Sequence, residues 1–65
     1  MNKEIANNLN LTAAQIAEAV KHIRAGEGLT VVAEVLGLDD MRESEADRLI
    51  DRLGIFEYAQ NIEAA

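Results

Sequence analysis

The stretch from Leu29 to Ile55, LTVVAEVLGLDDMRESEADRLIDRLGI, holds two short apolar-periodic segments, each closed by a Leu-Gly-apolar triplet, Leu36-Gly37-Leu38 and Leu53-Gly54-Ile55. Glycine just past the last periodic residue is a common helix stop, because it enters the left-handed region without a Cβ clash. In the first segment Leu29, Val32, Ala33 and Leu36 share one helical face, while Val31 and Val35 stand together on the opposite one. The same run also alternates as a strand, with Leu29, Val31, Ala33 and Val35 set against Thr30, Val32, Glu34 and Leu36, and so short a segment fits both periods. Thr30 as a cap, Gly37 as a stop and the lack of a second strand to pair with favour helix. A strand here would have to pair between chains.

The second segment has a core face of Ala46, Leu49, Ile50 and Leu53. Asp40 with Glu43 and Ser44 with Asp47 are both cap-like pairs. Ser44 is the preferred start, because Met41 falls off the core face if the helix is extended back to include it. Asp40, Glu43, Asp47 and Asp51 line one side of this helix, with Glu45, Arg48 and Arg52 on the other. Like charges one turn apart, Glu43 with Asp47 and Asp47 with Asp51, cost some helix stability, and a partner with basic side chains would relieve it.

Upstream, Ile5 and Leu9 lie one helical turn apart, but Asn7, Asn8 and Asn10 compete for backbone hydrogen bonds, which predicts a short or frayed helix. Thr12 with Gln15 forms a capping box, and Leu11 with Ile16 takes the positions of a hydrophobic staple, so a helix starts at Ala13. Ile16, Val20 and Ile23 then recur at helical spacing with Ala13, Ala17 and Ala19 beside them, a narrow stripe that a neighbouring helix can approach closely. Gly26 and Gly28 end it. Downstream, Ile55, Tyr58, Ala59 and Ile62 give a last amphipathic turn or two. Phe56 lies off that face, either as a binding anchor or folded back onto the core. The expected fold is therefore all-α in one domain over residues 1–65, a small bundle of three main short helices, roughly 13 to 25, 30 to 36 and 44 to 53, with short terminal helices packed against them.

A chain of 65 residues buries too little surface for more than marginal stability, and the usual supplements are disulfides, a metal or a partner chain. Without Cys, disulfides and thiolate metal sites are excluded, so oligomerisation is the expected supplement. Val31 and Val35, turned away from the intrachain core, are assigned to a homodimer contact. Twelve acidic residues against six basic ones give a net charge of −6. Residues 1–28 are balanced, Glu4, Glu18 and Glu27 against Lys3, Lys21 and Arg24, so residues 29–65 carry the whole excess. Such a half repels phosphate backbones and anionic membranes and is steered toward proteins with basic surfaces. No apolar run approaches the ~20 residues that span a bilayer, and no basic n-region precedes one, so a cytoplasmic location without membrane contact is expected.

Catalysis has little to work with. The available nucleophiles are Ser44, Thr12 and Thr30, the one imidazole is His22, and they sit on separate segments with no glycine loop beside them. No phosphate loop, dinucleotide fingerprint, calcium loop or zinc motif is present. The expectation is a protein that is not an enzyme, with no catalytic residues, no cofactor and no metal. His22, one turn after Glu18 on the polar side of its helix, reads as a solvated surface residue, since two ligands without a third make a weak metal site.

On Ala33, Gly37 and Leu38, residues 29–53 resemble the helix-turn-helix motif of bacterial and phage regulators. In that family a small Ala in the first helix lets the second pack closely, and a Gly four residues later takes the tight turn before an apolar residue. The resemblance implies a DNA-binding regulator. The family's short turn places an apolar core residue where Glu43 stands here, so this connector is longer, with Ala46 and Leu49 in the core roles. The recognition helix would then offer Glu43, Glu45, Asp47, Arg48, Asp51 and Arg52 to a major groove, a net-negative surface. Arg42, Arg48 and Arg52 remain available to phosphates or guanine edges, and a dimer would add Lys21 and Arg24. The first expectation is thus a small acidic regulator or inhibitor. It docks through Asp40, Glu43, Asp47, Asp51 and Phe56 on a basic surface of another protein, including one that binds nucleic acid. A DNA-binding transcriptional regulator with a modified helix-turn-helix is the second, and a structural assembly subunit the third. Size and charge also suit a phage or mobile-element protein.

Overall fold

The computed structural model describes the backbone of residues 1–64 and the side chains of residues 1–61. The chain is all-α: α1 Lys3–Asn8, α2 Ala13–Arg24, α3 Leu29–Val35, α4 Glu43–Leu53 and α5 Ile55–Ala64. The capping box at α2 forms as its sequence requires. Thr12 Oγ1 accepts from the Gln15 amide at 3.1 Å, and Gln15 Oε1 accepts from the Thr12 amide at 2.9 Å. Asn2 caps α1 in the same manner, its side chain accepting from the Ile5 amide at 3.2 Å.

The ends of α1, α2 and α3 share one closure. In each, the amide two residues past the cap reaches back to a carbonyl of the last turn: Leu11 to Ala6 at 3.0 Å, Glu27 to His22 at 3.1 Å and Leu38 to Ala33 at 2.8 Å. This Schellman arrangement needs a left-handed residue just past the cap. Gly37 supplies it after α3 with φ +74°, and Asn10 supplies it after α1 with φ +56°. Gly54, at φ +73°, ends α4 differently, because α5 begins at the next residue and the Gly54 carbonyl already accepts from Tyr58.

Two helix starts differ from the sequence expectation. α3 is capped by Gly28 rather than Thr30, since the Val32 amide donates to the Gly28 carbonyl at 3.3 Å and draws Leu29 and Thr30 into the first turn. α4 is capped by Arg42 rather than Ser44, the Ala46 amide donating to the Arg42 carbonyl at 3.0 Å. Neither start carries a side-chain cap, and at α4 the first-turn carboxylates of Glu43 and Glu45 complement the helix dipole instead. The C-terminal helix also exceeds the turn or two expected, reaching ten residues. Ile62, assigned to its apolar face, lies outside the residues whose side chains are described.

One core draws on all five helices. Val32, Ile50, Leu53 and Ile55 are its largest fully buried side chains, joined by Ala6, Ala19, Val20, Leu36, Leu38, Ala46 and Ala59. α2 packs against α5 and α3, α1 packs against α4, and α4 touches both α3 and α5. Fully buried Ala19 and Ala59 lie on the α2 and α5 pair, where the absence of larger side chains permits close approach. The backbone amide of Asn2 donates to the Leu53 carbonyl at 2.8 Å, fastening the start of α1 to the last turn of α4. Gln15 Nε2 reaches the Val35 carbonyl at 3.5 Å, so α2 helps to satisfy an open carbonyl at the end of α3.

Candidate functional site

The expected face of α3 is kept except at its first residue, Leu29, which borders the main surface feature. Starting one residue early, α3 buries Val32 and Leu36 and half-buries Ala33, but Leu29 is left 39% exposed. Leu29 then borders a recess between α3 and α4 of about 310 Å³, walled by Thr30, Ala33 and Glu34 on one side and by Glu43, Ala46 and Asp47 on the other. Leu38, Asp39 and Met41 of the connector complete it. A second, mainly apolar recess of about 320 Å³ continues past the same Leu29 and Asp47 to Ile50, Asp51 and Phe56. The two recesses share Leu29 and Asp47 in their walls, one reaching Met41 before α4 and the other Phe56 after it, and the pair is called the groove beside α4.

Five ionisable side chains line this groove, and all are carboxylates: Glu34, Asp39, Glu43, Asp47 and Asp51. Among the described residues the ion pairs are those of His22, and none of the five has a basic partner within 4.0 Å there. The cations Lys21 and Arg24 lie elsewhere, bordering a shallow patch on α2 with Ala17, Val20 and Ala25. Arg48 and Arg52 are exposed on α4 but do not line the groove. An uncompensated negative field over an apolar floor attracts a cationic ligand and repels phosphate. Of the groove's side chains only Thr30 offers a hydroxyl, and none offers an imidazole, amine or thiol.

The structure brings Glu43, Asp47, Asp51 and Phe56 of the expected docking residues to the groove. Asp40 is exposed in the turn before α4 and outside it, and Asp39 lines it instead. Phe56 packs on the core and borders the second recess. The two valines separate: Val35 packs against the core from the side, whereas Val31 is half-buried outside that set. Glu34, Leu29 and Met41 were not anticipated at the site. Leu29 and Met41, 39% and 38% exposed, are two of the three large apolar side chains most open to solvent among the described residues. The third, Met1, lies on a separate patch with Ile16, Val20 and Tyr58.

His22 is not a lone surface histidine. Its Nε2 lies 3.4 Å from Glu18, and its Nδ1 is paired with Glu27. The Schellman closure of α2 sets Glu27 back over the last turn, where its carboxylate meets the ring. The hydrogen bond that His22 Nδ1 donates to Glu27 raises the His22 pKa above its ordinary value near 6.5, partial desolvation opposes it, and the charges of Glu27 and Glu18 add to the rise. Among the described residues no group of three or more His, Cys, Asp or Glu is arranged to hold a metal ion, and no helix is long and apolar enough to cross a membrane.

Fold and groove thus define a class, small all-α proteins with an acidic-rimmed cleft. Comparison with protein-family models, curated proteins and solved structures finds no match.

Proposed function

We propose that the protein is a non-enzymatic regulator or inhibitor that docks on a basic surface of another protein through α4 and the groove beside it. The observation that carries this reading is the groove's charge: five lining carboxylates with no basic partner within 4.0 Å among the described residues. A surface needing only solubility would gain from interleaved opposite charges at helical spacing, yet Glu43, Asp47 and Asp51 follow one another at i, i+4 and i+8. The setting proposed is cytoplasmic, and the size and charge suit a phage or mobile-element protein that covers a nucleic-acid-binding surface.

The test is a pull-down from cell lysate with the wild type and with the triple variant Glu43→Gln, Asp47→Asn and Asp51→Asn, at two ionic strengths. Basic proteins retained by the wild type and released by salt or by the triple variant are expected. An identical set retained by a normally folded triple variant refutes the reading.

A second reading, a DNA-binding regulator, draws support from the corner after α3, where Gly37 is left-handed and Leu38 is buried. Against it stand the connector of residues 36–42 and the acidic rim of α4. A gel shift separates the two. Duplex DNA is expected to bind no better than about millimolar at physiological salt, because no continuous basic stripe exists to release counterions. Tight, sequence-dependent retention would promote this second reading to first.

A further inference from the structure

We infer that the groove between α3 and α4 receives a short amphipathic helix of the partner, with apolar side chains along its buried stripe and Lys or Arg along both edges. The inference rests on the docking reading above and adds to it the form of the ligand. Carboxylates stand on both flanks, Glu34 on α3 and Glu43, Asp47 and Asp51 on α4, with Asp39 at the connector end. Between them lie Leu29, Ala33, Ala46, Ile50 and Phe56. A ligand must therefore be apolar in the middle and cationic on either side.

Backbone chemistry selects a helix over an extended strand. A strand binds by adding to a sheet edge, and both walls of this groove are helices whose amides past the first turn are bonded within themselves, so they offer no ladder. A helix satisfies its own amides and needs only a groove for its side chains. The length matches as well. The eleven residues of α4 rise about 16 Å, so a ligand helix of about three turns spans the groove from Met41 to Phe56. Leu29 and Met41 are the apolar groups such a ligand would cover, and the flexible thioether of Met41 can adapt to its contour.

The test is a selection from a displayed library of random peptides about twelve residues long, followed by titration of the enriched peptide into isotopically labelled protein. Enrichment of sequences with apolar residues at i, i+3 or i+4 and i+7, flanked by Lys or Arg, is expected. Shifts in the methyl signals of Leu29, Ala33, Met41 and Ala46 should accompany binding. The variant Leu29→Gln with Met41→Gln alters two exposed positions, so its circular dichroism should be unchanged while affinity falls at least ~10-fold. Enrichment of basic peptides without an apolar period, or shifts confined to other surfaces, overturns the helix inference and leaves docking on a basic surface standing. Enrichment of neutral or acidic peptides, or of none, overturns both. Groove signals that move on diluting the protein alone would mean that a second copy occupies it, which also overturns the inference.

Discussion

Replacing Asp47 by Asn should stabilise the protein, which is unusual for a change in the middle of a helix. Asp47 is the fifth residue of α4, too far from either end for the dipole to matter, and it has Glu43 one turn before it and Asp51 one turn after. Each like-charge pair at this spacing costs about 0.2–0.5 kcal/mol, and the substitution removes both, a gain of ~0.4–1 kcal/mol. Asn and Asp have similar helix propensities, so the exchange itself adds little. For a domain of this size the gain corresponds to a rise in Tm of about 2–8 °C. Glu43→Gln is the internal control. It relieves one of the two repulsions but removes a first-turn carboxylate worth about 0.3–1 kcal/mol, so its net effect should be near zero or slightly destabilising. The assay is thermal unfolding followed by circular dichroism at about 0.01 M and 1 M salt, where the screening length falls from about 30 Å to 3 Å. A gain for Asp47→Asn that shrinks at high salt supports the reasoning. An Asp47→Asn protein that is less stable, or whose gain ignores salt, would show that Asp47 has a favourable role within the chain.

Three further outcomes test other parts of the structure. Gly54→Ala should cost about 1–2 kcal/mol through its left-handed backbone, since no atom lies within 4 Å of the added methyl, and urea unfolding checks this. The raised pKa of His22 means that its pairing with Glu27 and Glu18 contributes fully at pH values below the ordinary value near 6.5, and that this contribution is lost as pH rises through the folded pKa. Glu27→Gln should therefore weaken the protein at pH 5 more than at pH 9; equal effects at both would discount the charged pair. If the chain forms the homodimer expected of so small a core, Val31→Lys should yield a folded monomer in sedimentation equilibrium, whereas Val35→Lys should lower the Tm because Val35 packs on the core. A wild type that stays monomeric at ~100 μM, well above a micromolar Kd, counts against the dimer.

Periodicity and punctuation made the helices legible, and the places where they failed share a cause. Thr12 and Gln15 form a local device whose geometry needs no tertiary information, and it appears where the spacing places it. Thr30 and Ser44 are capable caps that go unused, because the preceding residues, Gly28 and Arg42, already adopt extended backbone and let the helix begin earlier. Leu29 joins the first turn of α3 on the same face as Val32, yet at the end of the helix it borders the recess and is not buried. The acidic members on α4 were readable from i, i+4 spacing alone. Glu34, Asp39 and Met41 were not, since they join the site only through the approach of α3 and the connector to α4. Glu27 had a readable signal: Gly26 just past the cap of α2 places the next residue back over His22.

The bond from the Asn2 amide to the Leu53 carbonyl bears on how the chain is made. A polypeptide emerges from its N-terminus, and domains tend to fold as units during synthesis. Here the Asn2 amide is secured to a carbonyl at the far end of α4, and α1 packs against α4 across the two intervening helices α2 and α3. Until Leu53 has left the ribosome, the Asn2 amide has no native acceptor and Ala6 has no α4 to bury against. The pairing of α1 with α4 therefore forms only after α2, α3 and α4 have been made, and Ala6 lacks its native cover until then.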